Sequence, residues 1–381
     1  MITKIINAKI VEGGITEGLS VYLKDGKIMA VTADELEYDS LYDADGAYLS
    51  AGWIDIHTHG GGGYDFMDGG AEPIIEGAKM HLAHGTTSIF PTTLSASKEA
   101  LKQAVADIKE AMSFPTIRGA HMEGPYFDTK SCGAQNTDYI RNFDWDEIDS
   151  LLESGIIKRW DYAPELHESD RAIEKLMKAG VVCAIGHSSA TYEELLPAFE
   201  KGCKFVTHLY SATSTIVRIG GYRHLGIIES AFLLDEMKVE LIADGCHLPP
   251  ELLAMIYKIK GPENICLVTD SMRAAGMPDG EYILGSLKEG MPCVHEGGVA
   301  KLMDRSAFAG STATADRLVR TMYKSVKIPL ENAVQMLTKT PAEVMGLASK
   351  GSVKEGFDAD LTIFDDDINV KAVYVNGEKM I

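Results

Sequence analysis

The 381-residue sequence contains no apolar run of the ~20 residues that a membrane-spanning helix needs. Its opening stretch, MITKIINAKIVEGG, lacks the apolar centre of a secretory signal. Both absences lead to the expectation of a soluble, cytoplasmic protein. The six cysteines (Cys132, Cys183, Cys203, Cys246, Cys266 and Cys293) form no C-x-x-C pair. Several lie within apolar runs such as VVCAIG and NICLVTD, the setting of buried, reduced thiols rather than of a disulfide framework. Positive charge is scarce, with 36 Lys and Arg against 56 Asp and Glu, a net charge of −20. Nucleic acid, which needs a basic face, is excluded as a partner. An anionic small molecule would need a local cluster of donors, because the overall field repels it. No P-loop is present either: the run Gly60 to Gly63 has no Lys-Ser/Thr after it and reads as a flexible loop.

What is present changes character twice along the chain. Residues 1–50 and 347–381 are rich in β-branched residues in rough alternation, with Asp25-Gly26 and Asn376-Gly377 as hairpin turns. The two ends are expected to pair into one small β domain. Between them, residues 51–346 alternate short apolar strands with amphipathic helices. Eight strand segments stand out: GWIDIH, TTSIFPT, RGAHMEG, KRWDYAPE, VVCAIGH, KFVTHLY, VELIADG and ICLVTD. The helical stretches between them carry apolar residues at i, i+3, i+4 and i+7, and several end in Gly. Eight such alternations favour an α/β fold of the closed (β/α)8 TIM-like barrel kind over an open sheet. The small β-sandwich domain would then hold both chain termini.

The residues able to do chemistry follow these strands with regularity. His57 and His59, Glu123, His187, His208, Asp244 and Asp270 all sit at or just beyond a strand's C-terminal end, the barrel face where active sites lie. Residues two apart in an extended segment point the same way, so His57 and His59 reach one ion together. With Glu123, His187, His208 and Asp270 they form a set of imidazoles and carboxylates suited to Zn²⁺, Fe²⁺, Mn²⁺ or Co²⁺, zinc first among them. There are enough ligands for one or two divalent ions, with Glu123 placed to bridge.

These residues and their surroundings resemble the N-acetylglucosamine-6-phosphate deacetylases of the amidohydrolase superfamily. The likeness runs nearly end to end, through AGWIDIHTHG, HMEGPY, AIGHS, VTHLY, DGCH, LVTDSMRAAG, FAGST and GSVKEGFDADLTIFD. It implies metal-dependent removal of the acetyl group from a small phosphorylated amino sugar by a homodimer. It further implies that Glu123, His187 and His208 hold one metal, and that His57 and His59, with Glu123 and Asp270, hold a second. Asp270 would be the catalytic residue, taking a proton from the attacking water and delivering it to the departing amine.

Two departures from that family bear on the substrate. Gln135, within Gly133-Ala134-Gln135-Asn136, stands where the family carries a His that donates to the substrate carbonyl. Ser211-Ala212-Thr213 replaces an N-A-M segment whose backbone N–H groups help bind the phosphate. Arg218 and Arg223 lie in STIVRIGGYRHLG, the loop from which the family draws a phosphate-binding Arg, often from the neighbouring subunit; the sequence leaves the choice between them open. The resemblance puts His247 on the sugar. The competing readings are an N-acetylgalactosamine 6-phosphate or other N-acyl substrate, and a catalytically silent sugar-phosphate-binding relative. Outside the site, His81 and His84 are expected to satisfy carbonyls at a helix end, and His295 to be exposed in a hairpin insertion. His121 is expected to pack in the barrel or to support the ligands.

Overall fold

Eight parallel strands, each hydrogen-bonded to the next in chain order, form the central sheet of a computed structural model that describes residues 1–381. They run Trp53–Thr58, Thr86–Thr93, Ala120–Glu123, Ile157–Tyr162, Val182–Ile185, Phe205–Val206, Lys238–Leu241 and Ile265–Leu267. Each falls on one of the eight segments expected from the sequence. Between the first and last strands the seam is joined at its C-terminal end. There the Asp270 N–H donates to the His57 carbonyl (2.9 Å) and the His59 N–H to the Ser271 carbonyl (2.8 Å). The chain therefore folds as the expected (β/α)8 barrel.

The helices cover the barrel with the stripe their sequences carry. Lys98–Ala111 is capped by Ser97, which accepts from the Ala100 N–H, and buries Leu101, Ala104, Val105, Ile108 and Ala111. That stripe follows the 3.6-residue period. In Ala71–Ala83 the same stripe runs Ile74, Gly77, Ala78 and His81. His81 thereby turns inward, with Nε2 2.9 Å from the Gly60 carbonyl, so it serves the first barrel loop and not the helix end. His84 instead faces Asp316 (3.1 Å). Both expectations of helix-end carbonyl contacts are corrected: the stripe aims His81 at the barrel, and His84, at the helix end, turns to Asp316 in the helix Ala315–Arg320. No helix is long and apolar enough to cross a membrane.

The chain ends build two further sheets. In the first, the C-terminal strands Val370–Val375 and Leu361–Phe364 join Tyr48–Ala51 and then Lys9–Val11. The second contains Ile2–Ile6, Ser20–Lys24, Lys27–Thr32 and Ser40–Asp43. Asp25-Gly26 and Asn376-Gly377 are two-residue turns with positive φ at both positions (48° and 77°, 50° and 79°), the geometry that an Asp-Gly or Asn-Gly pair adopts. The sheets share a core of 15 buried apolar residues drawn wholly from residues 5–51 and 353–374.

After the eighth barrel strand comes a four-stranded antiparallel sheet, Gly280–Leu284, Met291–Glu296, Val299–Leu302 and Phe308–Ser311. His295 lies inside it, buried, with Nδ1 3.2 Å from the Pro278 carbonyl and Nε2 3.2 Å from the Thr312 hydroxyl. The expected exposure is thus wrong, because Pro278 and Thr312 close on the two sides of the ring. The sheet's last strand pairs with the barrel rim: the Ser311 N–H donates to the Asp270 carbonyl (2.7 Å). Gly310 permits this approach, since its φ is 72° and a Cβ would stand 3.0 Å from that carbonyl.

Candidate active site

A cavity of about 320 Å³ opens at the C-terminal end of the barrel, and His59, Glu123, His187, His208 and Asp270 line it. Its rim holds Gln135, Ser211, Ala212 and His247 from the loops, with Leu284, Ala307, Phe308 and Gly310 from the added sheet. Each polar group arrives by a definite backbone device. In the first strand the two-residue period turns Asp55, His57 and His59 to the same side. Glu123 ends the third strand. His187, His208 and Asp270 follow strands five, six and eight with φ of 46°, 26° and 46°, a left-handed backbone that non-glycine residues seldom adopt. Such positions cost ~1–3 kcal/mol each and gather at functional sites.

The ligating atoms meet closely. Glu123 Oε1 lies 3.0 Å from both His187 Nε2 and His208 Nε2, and 3.5 Å from His57 Nε2. Glu123 Oε2 lies 3.4 Å from His59 Nε2. Asp270 Oδ1 is 3.2 Å from His59 Nε2 and 3.6 Å from His57 Nε2. Two groups of three, Glu123–His187–His208 and His57–His59–Glu123, thus share one carboxylate. Donors on a tetrahedral ion with bonds of ~2.1 Å stand ~3.4 Å apart, so these spacings are those of a coordination shell. His57 Nε2 is moreover buried with no hydrogen-bond partner, as a nitrogen reserved for a cation would be. The residues fit a divalent metal.

Electrostatics tell the same story. Burial pushes Asp270 up, but His57 and His59 outweigh it and hold the carboxyl at about 2. Burial likewise opposes Glu123, which His57, His187 and His208 keep well below the usual carboxylate range. His59 and His208 are driven down by burial yet end near 9, through Asp270 in one case and Glu123 in the other. The pocket is anionic by design and draws positive charge onto its imidazoles.

Around this cluster the loops are tied down. Gln135 donates from Nε2 to Glu123 Oε2 (2.6 Å) and accepts at Oε1 from the Ser95 N–H (2.7 Å). His187 Nδ1 faces the Ser131 carbonyl (3.0 Å). His247 is gripped by Asp244, whose Oδ2 lies 2.8 Å from Nδ1 and whose Oδ1 accepts from the His247 N–H (2.8 Å). The Ser211 N–H already donates to the His208 carbonyl (2.8 Å), which leaves its hydroxyl for a ligand. Arg218 and Arg223 are not brought into the cavity. They face each other across an exposed two-stranded ribbon, Val217–Ile219 and Tyr222–His224.

Sequence reasoning missed the layer beneath. Arg159, Asp161 and Glu240 are fully buried inside the barrel, Arg159 bonding both carboxylates. Asp161 Oδ1 also lies 2.9 Å from His121 Nε2, so His121 both packs and pairs below the ligands. Asp55 accepts from the Thr269 hydroxyl (2.6 Å) and is pushed up to about 7, chiefly by burial. The available signal was charge on strands enclosed on both faces: the R-x-D of KRWDYAPE and the Glu240 of VELIADG, which lies mid-strand.

Comparison with known proteins agrees with this geometry. Residues 48–380 match the amidohydrolase family. An N-acetylglucosamine-6-phosphate deacetylase of Lysinibacillus sphaericus is 34% identical over 366 residues, covering 93% of this chain and 91% of its own. An N-acetylgalactosamine-6-phosphate deacetylase of Escherichia coli O157:H7 is 30% identical over 386 residues, covering 99% of both. A mutant of the N-acetyl-D-glucosamine-6-phosphate deacetylase of Mycobacterium smegmatis, solved in complex with N-acetyl-D-glucosamine-6-phosphate, superposes with a TM-score of 0.91. It is 30% identical, and the match covers 100% of this chain and 99% of that one. The chain belongs to the amidohydrolase family and, within it, to the N-acetylglucosamine-6-phosphate deacetylases.

Proposed function

We propose that this protein hydrolyses the acetamide of N-acetylglucosamine 6-phosphate to glucosamine 6-phosphate and acetate. The observation that carries the reading is the convergence of His57, His59, Glu123, His187, His208 and Asp270, with ligand atoms 3.0–3.6 Å apart, at the floor of a sugar-sized cavity. An acetamide is a poor electrophile. A divalent ion bound there lowers the pKa of water toward ~7 and polarises the carbonyl, and zinc suits this donor set best.

The chain's own residues supply the rest. Asp270 turns Oδ1 to His57 and His59, which leaves Oδ2 to take the proton of the attacking water. Held at about 2 by His57 and His59 against burial, it is ionised at neutral pH and ready as a base. Passing that proton to the amine lets the C–N bond break instead of the C–O bond just made; such transfers contribute ~10²–10⁴-fold. One amide hydrogen of Gln135 is committed to Glu123, and the other is free to meet the acetyl carbonyl. His247, fixed by Asp244, and the Ser211–Ala212 loop hold the sugar and its phosphate. Retention of Asp270 beside the ligands speaks against a silent binding relative, which has no use for a proton carrier.

Arg218 and Arg223 are assigned to the phosphate of a neighbouring active site in a homodimer. Both stand outside this chain's cavity, on a ribbon that exposes Ile219 and Tyr222. Residues 1–50 and 347–381 are taken as a separate small domain beside the barrel of residues 51–346, and the protein is placed in the cytoplasm.

A second reading, N-acetylgalactosamine 6-phosphate, is favoured by the 30% identity to relatives named for that sugar in two organisms. Amine release from the two phosphorylated epimers and from unphosphorylated N-acetylglucosamine separates the cases. The first reading expects the glucosamine epimer to give the highest kcat/KM. Equal turnover of the unphosphorylated sugar would reject both phosphate readings, and loss of activity with a chelator, restored by zinc, is expected throughout.

A further inference from the structure

The seventh barrel strand runs Lys238, Val239, Glu240, Leu241, and its single acid points into the barrel with no solvent exposure. Glu240 Oε1 accepts from Arg159 Nη1. Glu240 Oε2 lies 3.1 Å from His57 Nδ1 and also accepts from the backbone N–H of His208 (3.1 Å). One oxygen thus touches two of the proposed ligands, on strands one and six. Arg159 is itself locked: Nε and Nη2 each donate to Asp161 (2.8 Å), and Nη2 donates to Thr207 Oγ1 (2.9 Å). Its planar fork therefore holds one oxygen of Glu240 in place while the other faces His57.

We propose that Glu240, oriented by Arg159, is a positioning residue that fixes the His57 ring with its proton on Nδ1 and its lone pair on Nε2, aimed at the metal position. A carboxylate can only accept, so the atom facing it must donate. Arg159, donating to Glu240 Oε1, pairs the carboxylate in its accepting form. The consequence is visible across the ring, where His57 Nε2 is buried and unpartnered, 3.5 Å from Glu123 and 3.6 Å from Asp270. The same oxygen steadies the His208 backbone where φ is 26°. This inference rests on the metal-site reading above.

The test is zinc affinity, measured by competition with a chromophoric chelator, for wild type, Glu240→Gln, His57→Asn and the double variant. A glutamine that still accepts from Arg159 turns its NH₂ toward His57 Nδ1, which must then accept, and the ring proton moves to the nitrogen meant for zinc. Glu240→Gln is expected to weaken zinc binding ~10–100-fold, as loss of a ligand's outer partner does. The melting temperature of the zinc-free protein should stay near wild type, and the loss should shrink sharply in the His57→Asn background. Unchanged affinity in Glu240→Gln, or an equal loss in both backgrounds, overturns the proposal. Wild type that takes up no zinc overturns the site reading itself, which is a different result. Should Glu240→Gln not fold, the histidine ¹⁵N spectrum of zinc-loaded wild type decides, with His57 assigned by its absence in His57→Asn. A proton on Nδ1 supports the role, and one on Nε2 refutes it.

Discussion

The barrel mouth and the paired chain ends are both made of short strands and tight turns, yet they treat strain in opposite ways. In the terminal sheets most special backbone angles fall on residues suited to them, as at Asp25-Gly26 and Asn376-Gly377, with Ile368 (φ 62°) the exception. At the mouth, left-handed angles fall on His187, His208 and Asp270, and buried nitrogens of His57 and His208 have no partner. Left-handed angles cost ~1–3 kcal/mol apiece, and unpaired buried polar groups a similar amount. One region is arranged for stability and the other for a ligand. Substitutions should therefore separate the two properties cleanly, and each test below either breaks that separation or narrows it.

The largest expected effect is on chemistry alone. Asp270→Asn keeps the shape, and asparagine tolerates the φ of 46° that the position demands. It cannot accept a proton from water. Turnover should fall by ~10²–10⁴-fold or more while the melting temperature of the metal-loaded protein holds. A kcat near wild type would remove Asp270 from the proton path, and a collapse in stability would show that the mouth also serves the fold.

The opposite pattern is expected at Leu361, fully buried in the core that the two chain ends share. Leu361→Ala leaves a cavity there and should cost ~2–5 kcal/mol in denaturant unfolding, with kcat and KM of the folded fraction unchanged. Altered kinetics would mean that the sheets hold the barrel mouth in register, which the separation denies.

This contrast also explains what could be read from the sequence. Period-two alternation and turn pairs such as Asn376-Gly377 are local, so the terminal sheets were legible, as were the eight strand segments. The site's polar residues were legible because each sits at a strand end. Glu240 and Arg159 were not, since their meaning depends on barrel closure bringing strands four and seven against His57. The burial of His295 depends on Pro278 and Thr312, each distant in sequence, closing on its ring. Nor does any local pattern specify the left-handed angles at His187 and His208, which tertiary contacts impose.

Arg218 and Arg223 belong to neither region, being exposed on their ribbon. Replacing both with Ala should leave stability and kcat alone. A hydrogen bond to a charged group is worth ~1.5–3 kcal/mol, so KM for the phosphorylated sugar should rise ~10–100-fold. Turnover of the unphosphorylated sugar should not change. A fall in kcat with KM constant would place the ribbon in the chemistry instead.

Gln135 is a mouth residue bonded like a member of the sheets, with its carbonyl and one amide hydrogen engaged, to Ser95 and Glu123. Gln135→Leu keeps the volume but leaves a buried N–H and a buried carboxylate oxygen without partners. The expected cost is ~1–3 kcal/mol of stability, accompanied by a several-fold drop in kcat as Glu123 loses its clamp. Of the substitutions considered, this alone should move both quantities together. If only kcat falls, Gln135 acts on the substrate carbonyl and its bond to Glu123 is incidental. If only stability falls, Glu123 is held well enough by its imidazoles, Gln135 serves the fold, and the separation between the two regions breaks at this residue.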